Sequence, residues 1–264
     1  MRAAVYSGTR NLYPHMVTAA KSLVANSSVE KIYFLIEDDA FPEALPPLIE
    51  TVNVSGQTWF PQDGPNMKSQ FTYMALIRAC YCRILPEDLD RVLQLDVDTI
   101  VTDSIEELWG LEMGRKWWAM AEEKFTTFHP YGINYYNAGV AMINLVELRK
   151  AGAEDEMIRL LNTQELPFID QDAMNKLGYP RKIMEIPTRF NENRLCGYSD
   201  RPAIVHYAGF RNCWENPQTP RLEYYRKYRD MTWEEVFACR GETPPAAPAR
   251  KPTRTRKAKK AAES

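Results

Sequence analysis

Cysteine is scarce in this sequence, and long apolar runs are missing from it. The chain has 5 cysteines in 264 residues, an odd number without any Cys-x-x-Cys spacing, which argues against a disulfide framework or a thiolate zinc site. No run reaches the roughly 20 apolar residues that a membrane-spanning helix needs, and Met1–Val5 lacks the apolar segment of a signal peptide. We therefore expect a cytoplasmic protein whose cysteines are reduced.

Charge is nearly balanced over the whole chain but not along it. The net charge is −2, with 45% apolar and 11% aromatic residues, a composition typical of a globular protein. Residues 241–264 carry seven Lys/Arg against two acidic residues, a net +5, which leaves −7 on residues 1–240. We expect one domain over 1–240 and a disordered basic tail over 241–264. The tail is either simply solvated or makes weak contact with an anionic surface such as nucleic acid or lipid.

Strand-like and helix-like segments alternate at the start of the chain. Apolar Ala3–Gly8 predicts a strand, and Leu12–Asn26 has apolar residues at helical spacing. Lys31–Asp39 predicts a second buried strand, followed by a helix over Glu43–Glu50 and a weak strand at Val52–Val54. This alternation predicts an α/β fold with a mostly parallel central sheet flanked by helices.

The later segments continue the same pattern. Ser69–Leu85 predicts a helix that Pro86 ends, and Arg91–Val101 predicts one strand that carries two acids towards its end. Further strands are expected over 116–121, 135–145 and 203–209, and further helices over 154–162, 169–178 and 221–237.

The stretch "QLDVDTIV" places Asp96 and Asp98 at the end of a buried strand. In an extended chain residues i and i+2 point to the same face, and ligands of open α/β sheets bind beyond the carboxyl ends of strands. Two neighbouring carboxylates repel each other unless a cation lies between them, and Mg²⁺ or Mn²⁺ suits such oxygen ligands. The alternative is that the two acids only begin a turn.

Four motifs in a fixed order add to this pair. "LDVDTIV", "NAGVAMINL", "DQDAMN" and "HYAGFRNCW", together with the opening "VYSGTRNLYPHMVTAAKSL", resemble glycosyltransferase family 8, over Ala3 to Trp214. That family includes glycogenin and bacterial lipooligosaccharide galactosyltransferases. The resemblance implies a single Rossmann-like domain of the GT-A fold. It also implies transfer of a hexose from a UDP-sugar, UDP-glucose or UDP-galactose, to an acceptor hydroxyl with retention of configuration.

The resemblance further implies a set of site residues. Mn²⁺, or Mg²⁺, would be held by Asp96, Asp98 and the histidine of the "HYAG" motif, His206; a histidine that ends a strand can also be purely structural. The residues expected to contact the donor are Ser7, Gly8, Thr9 and Asn11 for the nucleoside, Arg78, Val97, Ala138 and Asp172, and Gly209, Arg211 and Asn212 near the diphosphate. For these, a simple βα turn, a solvated helix arginine and a helix cap are the alternatives.

The expected catalytic residues are Asn137, Asp170 and Gln171, which the resemblance places at the donor sugar. Retention is either by front-face attack, in which the leaving phosphate accepts the acceptor's proton, or by a covalent intermediate on Asp170 or Gln171. Because an amide is a poor nucleophile, we favour the front-face route.

One position departs from the family pattern. The motif usually reads "HY-x-G-x-x-K-P-W", and its lysine neutralises the leaving diphosphate, but here Asn212 and Cys213 replace the lysine and the proline. Arg211 could supply the charge instead, because a guanidinium binds phosphate with a bidentate fork.

Two other functions stay open. One is a protein that binds UDP-sugar and metal without transferring the sugar, and the other is a nucleotidyltransferase, which the "NAGV" and "HYAG" motifs disfavour. The acceptor could be a glycan, a lipid-linked sugar or a protein. Aromatic residues in the loops 55–69 and 124–134 are able to stack on sugar rings.

Overall fold

The central feature of the fold is a twisted sheet with helices on both faces. A computed structural model describes residues 1–69, 71–125, 134–210 and 212–242, and the backbone of 254–255. The strands are β1 Ala3–Ser7, β2 Lys31–Ile36, β3 Ile49–Asn53, β4 Arg91–Leu95, β5 Thr99–Val101, β6 Trp118–Glu122, β7 Tyr136–Asn144, β8 Ile183–Glu185, β9 Ile204–His206 and β10 Arg254–Thr255. The α-helices are α1 Tyr13–Asn26, α2 Met74–Ile77, α3 Tyr81–Ile84, α4 Glu106–Trp109, α5 Leu145–Ala151, α6 Ala153–Thr163, α7 Ile169–Gly178, α8 Leu222–Asp230 and α9 Trp233–Cys239.

The main sheet has the strand order β10-β3-β2-β1-β4-β7-β6-β8. All neighbouring pairs are parallel except the two that involve β7, which runs antiparallel to both β4 and β6. A separate two-stranded antiparallel sheet joins β5 to β9. The predicted α/β fold with a mostly parallel central sheet is therefore confirmed.

Two apolar cores cover the two faces of this sheet. In β1 and β2 successive residues point to opposite faces, so Val5 packs with Tyr33 and Leu35 in one core, and Tyr6 packs with Ile32 and Phe34 in the other. Strands buried on both faces read as continuous apolar runs. That is why "AAVYS" and "KIYFLI" were recognisable as strands from the sequence.

The antiparallel strand β7 determines which side chains meet at one edge of the sheet. Because β7 runs against β4 and β6, its first residues lie beside the last residues of both, with Val140 opposite Leu95 and Tyr136 opposite Glu122. The segments that follow β4 and β6 and the segment that begins β7 therefore share one edge. This edge carries the acids of "QLDVDTIV" and the start of "NAGV".

Three predicted elements differ clearly in the structure, and the helix predicted over 221–237 is also divided, into α8 and α9. Residues 43–48 are not helical, contrary to the predicted helix over Glu43–Glu50, and strand β3 begins at Ile49. Pro46 and Pro47 explain this, since proline lacks the amide hydrogen and clashes inside a helix. The predicted helix over Ser69–Leu85 is shorter and interrupted, because a 3-10 turn at Arg78–Cys80 separates α2 from α3.

The third difference concerns the acid-bearing strand. The single strand predicted over Arg91–Val101 is divided into β4 and β5 by a turn, in which the Thr99 amide donates to the Asp96 carbonyl at 3.1 Å. Beyond the turn, β5 leaves the main sheet and pairs with β9. The two acids therefore lie in a turn, and the extended geometry assumed for them is wrong.

Four residues of the predicted basic tail, 241–242 and 254–255, are placed. Arg254–Thr255 form the short edge strand β10, which pairs in parallel with β3. The other residues from 243 onward lie outside the described part of the chain, and the disorder of the tail and the domain boundary at residue 240 stay predictions. Within the described residues, we find no helix with the length and apolarity to cross a bilayer.

Candidate active site

The two acids and His206 converge as one cluster. Asp96 follows β4, Asp98 lies two residues later in the turn, and His206 is the last residue of β9. The β5–β9 pairing puts Thr99 opposite His206, which carries the imidazole to the turn. Its Nε2 lies 3.3 Å from Asp98 Oδ1 and 3.6 Å from Asp96 Oδ2. One ligand atom from each residue lies within 4.8 Å of the others.

This cluster has the chemistry of a divalent metal site. Burial raises the pKa of Asp96, against the effect of Arg78 and His206. Burial acts on Asp98 in the same sense, but the neighbouring His206 outweighs it and lowers the pKa of that carboxyl. A cation between the carboxylates would relieve this competition for positive charge. Two carboxylate oxygens and an imidazole nitrogen suit Mn²⁺, so the three residues fit the predicted metal.

Gly139 provides the space that His206 occupies. A Cβ atom at this glycine would lie 2.6 Å from His206 Nδ1 and 2.8 Å from Nε2, closer than non-bonded atoms approach. The Gly139 carbonyl also accepts a hydrogen bond of 2.8 Å from the Asp96 amide. The sequence analysis missed this residue, although the glycine within "NAGV" was a signal, since a glycine in a strand often marks a close approach.

Arg78 connects the acid turn to α7. Its Nη1 donates to Asp96 Oδ1 at 2.7 Å, its Nη2 donates to the Ala138 carbonyl at 2.9 Å, and its Nε lies 3.0 Å from Asp170 Oδ2. Burial raises the pKa of Asp170 to about 6, against the opposing effect of Arg78. Arg78 is thus a buried residue that pairs with the carboxylates of Asp96 and Asp170, and it is not a solvated helix residue.

Asn137 and Gln171 both donate hydrogen bonds to Glu123, a buried carboxylate that was not among the predicted site residues. Glu123 follows β6, and its Oε1 accepts hydrogen bonds from Asn137 Nδ2 at 2.7 Å and Gln171 Nε2 at 3.1 Å. The Gln171 Oε1 in turn accepts from the Ala138 amide at 2.9 Å. Burial raises the pKa of Glu123. In the sequence its only signal was its place directly after a predicted strand.

Asp172 lies away from this group and is fully buried. It accepts hydrogen bonds from the Tyr135 hydroxyl at 2.6 Å and from the Phe168 amide at 2.8 Å, at the start of α7. Both carboxylate oxygens of Asp172 are therefore used inside the protein, although Asp172 is not the N-cap residue of α7.

The N-terminal turn lies at the end of β1. Ser7 ends the strand, and Gly8 packs so closely on α1 that a Cβ atom there would lie 2.9 Å from Met16 Sδ. The Thr9 hydroxyl donates to Asn11 Oδ1 at 2.6 Å. The predicted βα turn is therefore present, and only a small residue fits at its centre.

A cavity of about 340 Å³ joins this turn to Asp98 and to the final motif. Asn11, His15, Asp98, Asn212 and Trp214 are among the residues that line it. It lies beyond the carboxyl ends of β1 and β4, where open α/β sheets bind ligands. Val97, between the two acids, is half-buried and packs against one of the two cores.

The final motif turns through two left-handed residues. Gly209 has φ +78° and Asn212 has φ +47°, and Arg211 lies outside the described residues. The guanidinium of Arg194 rests on Gly209, where a Cβ atom would lie 2.9 Å from Cζ. Arg194 also covers the ring of Phe210, at 5.7 Å from its centroid. Among the described residues we find no carboxylate that pairs with Arg194.

Comparisons with known proteins agree with this architecture. The family model described as "Glycosyl transferase family 8" matches residues 4–217. The chain belongs to glycosyl transferase family 8. A putative glycosyltransferase of Haemophilus influenzae is 24% identical over 243 residues, which cover 80% of this chain and 72% of that protein. The chain spans between 25% and 72% of the length of the first curated relatives that it matches.

Two solved structures share the fold of this family 8 chain. The glycosyltransferase GlyE of Streptococcus pneumoniae superposes with a TM-score of 0.71 at 21% identity, covering 93% of this chain and 65% of that chain. The galactosyltransferase LgtC in complex with donor and acceptor sugar analogs gives a TM-score of 0.66 at 20% identity, covering 90% and 99%. At such identities the likeness shows the fold alone, which is GT-A. The resemblance found in the sequence is confirmed, and the chain is a glycosyltransferase.

If Asp96, Asp98 and His206 bind the metal, changes in these residues should alter the stabilisation of the protein by Mn²⁺. With UDP present and Mn²⁺ at about a hundred times its Kd, binding stabilises the native protein by about 2.7 kcal/mol, roughly 5 to 11 °C in Tm. Asp98→Asn and His206→Ala should each abolish this Mn²⁺-dependent shift in a thermal unfolding assay. If both variants keep the full shift, the cluster of Asp96, Asp98 and His206 is not the metal site.

The packing of His206 on Gly139 makes a second prediction. In Gly139→Ala the new methyl group takes the space of the imidazole, so His206 moves and the Mn²⁺-dependent shift is lost. Gly56→Ala is the matched control, because a Cβ atom at Gly56 meets nothing within 4 Å. A folded Gly139→Ala protein with native Mn²⁺ affinity would contradict the proposed tight fit.

Proposed function

We propose that this family 8 glycosyltransferase moves a hexose from UDP-glucose or UDP-galactose to an acceptor hydroxyl with retention of configuration, with Mn²⁺ or Mg²⁺ bound by Asp96, Asp98 and His206. The observation that carries the proposal is the convergence of these three residues, one of which, Asp98, lines a cavity together with Asn11 and Asn212. The cavity therefore adjoins both the predicted nucleoside turn and the predicted diphosphate motif.

The bound metal would supply Lewis-acid stabilisation to the diphosphate leaving group. The protein's own residues prepare the site for it. Arg78 holds one oxygen of Asp96, which leaves the other oxygen directed to His206. The chain thus fixes the orientation of a carboxylate that would otherwise rotate freely.

The sugar is proposed to lie over Asn137, Asp170 and Gln171. The Asp170 carboxylate lies against Arg78, which weakens it as a nucleophile, and Gln171 is a neutral amide bonded to Glu123. Both observations favour front-face attack over a covalent intermediate. The proton of the acceptor would then pass to the leaving phosphate, so that no strong protein base is needed.

The acceptor is proposed to bind where aromatic side chains are exposed. Phe125 and Tyr198 are both more than half exposed, and the Phe125 ring packs against Gly197 beside Tyr198. Exposed rings of this kind stack on sugars, which favours a glycan or a lipid-linked sugar over a protein. Contact of the basic tail with an anionic surface and the cytoplasmic location stay predictions.

A second candidate function rests on Asn212. An uncharged residue at the place of the usual lysine leaves the diphosphate with less positive charge, which suits a protein that binds UDP-sugar without transferring the hexose. A nucleotidyltransferase is the third candidate, and it would release pyrophosphate instead of UDP.

The released product separates these candidates. The full chain is incubated with UDP-glucose or UDP-galactose, with and without Mn²⁺, and UDP and pyrophosphate are quantified. We expect Mn²⁺-dependent UDP release that Asp98→Asn abolishes. Tight binding of UDP-sugar without hydrolysis or transfer to any tested acceptor would favour the binding protein, and pyrophosphate would favour the nucleotidyltransferase.

The positive charge for the leaving group gives a further prediction. Arg194 and Arg211 are the two candidates, and a charge-assisted hydrogen bond contributes about 1.5 to 3 kcal/mol, roughly 10- to 100-fold. We expect Arg194→Gln to lower both UDP affinity and kcat/KM by at least the lower figure, because its guanidinium rests on the "HYAG" turn.

Arg201→Gln is the control, since Arg201 is an exposed arginine that lies near Asp103 instead. Calorimetry with UDP and with uridine tells whether the lost affinity belongs to the phosphates. If Arg211→Gln loses the affinity and Arg194→Gln keeps it, the charge comes from Arg211.

A further inference from the structure

The Nδ1 atom of His206, on the opposite side of the ring from the acids, contacts a series of buried amide side chains that are hydrogen-bonded to one another. Resting on the proposed metal site, we infer that Asn191, aligned by Asn137 and Glu123, is a positioning residue that holds His206 as the Nδ1–H tautomer. Its Nε2 lone pair is then directed at Asp96 and Asp98. Asn191 lies outside all four motifs of the sequence.

The first contact decides which nitrogen carries the hydrogen. His206 Nδ1 lies 2.9 Å from Asn191 Oδ1. A carbonyl oxygen only accepts hydrogen bonds, so Nδ1 must donate and carries the hydrogen. The tautomer of His206 therefore depends on which way the Asn191 amide faces, an orientation that its other contacts must fix.

The second step fixes Asn191 through Asn137. Asn191 Nδ2 donates to Asn137 Oδ1 at 2.9 Å. The same Asn137 oxygen accepts from the Gly139 amide at 3.0 Å, and Asn137 Nδ2 donates to Glu123 at 2.7 Å. A backbone amide can only donate and a carboxylate can only accept, so Asn137 has one permitted orientation. Asn191 must then present its nitrogen to Asn137 and its oxygen to His206.

A second contact fixes Asn191 independently. Asn193 Nδ2 donates to Asn191 Oδ1 at 3.1 Å. The orientation of Asn193 is itself fixed, because its Oδ1 accepts from the amides of Leu195 at 2.8 Å and Cys196 at 2.9 Å. Backbone amides at Gly139 and at Leu195 and Cys196 thus fix, from both ends, which group donates and which accepts in this series of hydrogen bonds.

Burial makes a reversed orientation of these amides unfavourable. The five members His206, Asn191, Asn193, Asn137 and Glu123 are all between 0% and 5% exposed. A reversed amide would place donor against donor, and water has little access to compensate the unpaired groups. The arrangement belongs to a common class, in which a metal-binding histidine donates its other N–H to a fixed acceptor.

Asn137 has a structural role besides the one expected at the donor sugar. The resemblance places Asn137 at the donor sugar, but its oxygen and one hydrogen of its amide are used within the protein. It therefore joins the "NAGV" and "HYAG" motifs through Asn191. Loss of such an outer partner typically lowers metal affinity by about 10- to 100-fold.

The test uses two variants of Asn191. Asn191→Leu removes the acceptor for His206, whereas Asn191→Asp keeps an acceptor while losing the donor to Asn137. We expect Mn²⁺ affinity, measured with UDP by the EPR signal of free Mn²⁺, to fall roughly 10- to 100-fold in Asn191→Leu. In Asn191→Asp it should stay within a few-fold of native, since the tautomer is kept. Thermal unfolding establishes that each variant is folded.

Asn175→Leu is the matched control. Asn175 is equally buried and bonds to the backbone of Tyr136 and Gln171, without contact to His206, so its loss should spare the metal affinity. An equal loss in a folded Asn175→Leu protein would reduce the role of Asn191 to general packing and overturn the inference.

The tautomer itself gives a readout that does not depend on turnover. With Mg²⁺ and UDP bound, long-range ¹H–¹⁵N NMR spectra should show hydrogen on Nδ1 of His206, because Nε2 then faces the cation beside Asp96 and Asp98. The chain has only 3 histidines, and His206→Ala assigns the signal. Hydrogen on Nε2, or native Mn²⁺ affinity in a folded Asn191→Leu protein, would overturn the inference. If the native protein binds no Mn²⁺, the proposed metal site fails, whereas native Mn²⁺ affinity in a folded Asn191→Leu protein counts against the role of Asn191 alone.

Discussion

Two carboxylates held in one turn must be balanced by positive charge, and much of the site is arranged around that requirement. Arg78 meets Asp96 from the side of the protein interior, and His206 faces both acids from the other side. Arg78 does not balance both carboxylates, because its single charge is shared between Asp96 and Asp170. The arrangement leaves a deficit of positive charge at the cavity, which a divalent cation with a nucleotide diphosphate would fill.

The break between β4 and β5 is what makes this balance attainable. A continuous strand would carry Thr99 and the residues after it along the main sheet. The turn at Asp96 instead releases β5 to pair with β9, and that pairing brings His206 from a distant part of the sequence. A local feature, one turn, thus creates the long-range contact on which the proposed metal site depends.

The sequence was sufficient for features whose signal is local or whose motif is shared with the family. Periodicity predicted α1, the apolar runs predicted the buried strands, the acid-rich start of Ile169–Gly178 predicted α7, and the motifs pointed to Asp96, Asp98 and His206. The local pattern fails over Arg91–Val101, where tertiary pairing divides the strand, and over Glu43–Glu50, where Pro46 and Pro47 prevent a helix. Glu123, Gly139 and Asn191 were missed because their roles are contacts with residues distant in the chain.

The side of the site around His206 and the side around Asn212 differ in how well they tolerate substitutions. On the side of the proposed metal site, His206 is wedged against Gly139 and its hydrogen bond belongs to a buried series of amides with one permitted orientation, so most substitutions there leave a buried polar group unpaired. On the side of the proposed diphosphate site, Asn212 lines a cavity and Arg194 lies exposed on Gly209. Charge can be moved between exposed positions at little cost in stability. The departure from the family pattern at Asn212 therefore lies in the half of the site where physical constraints permit it.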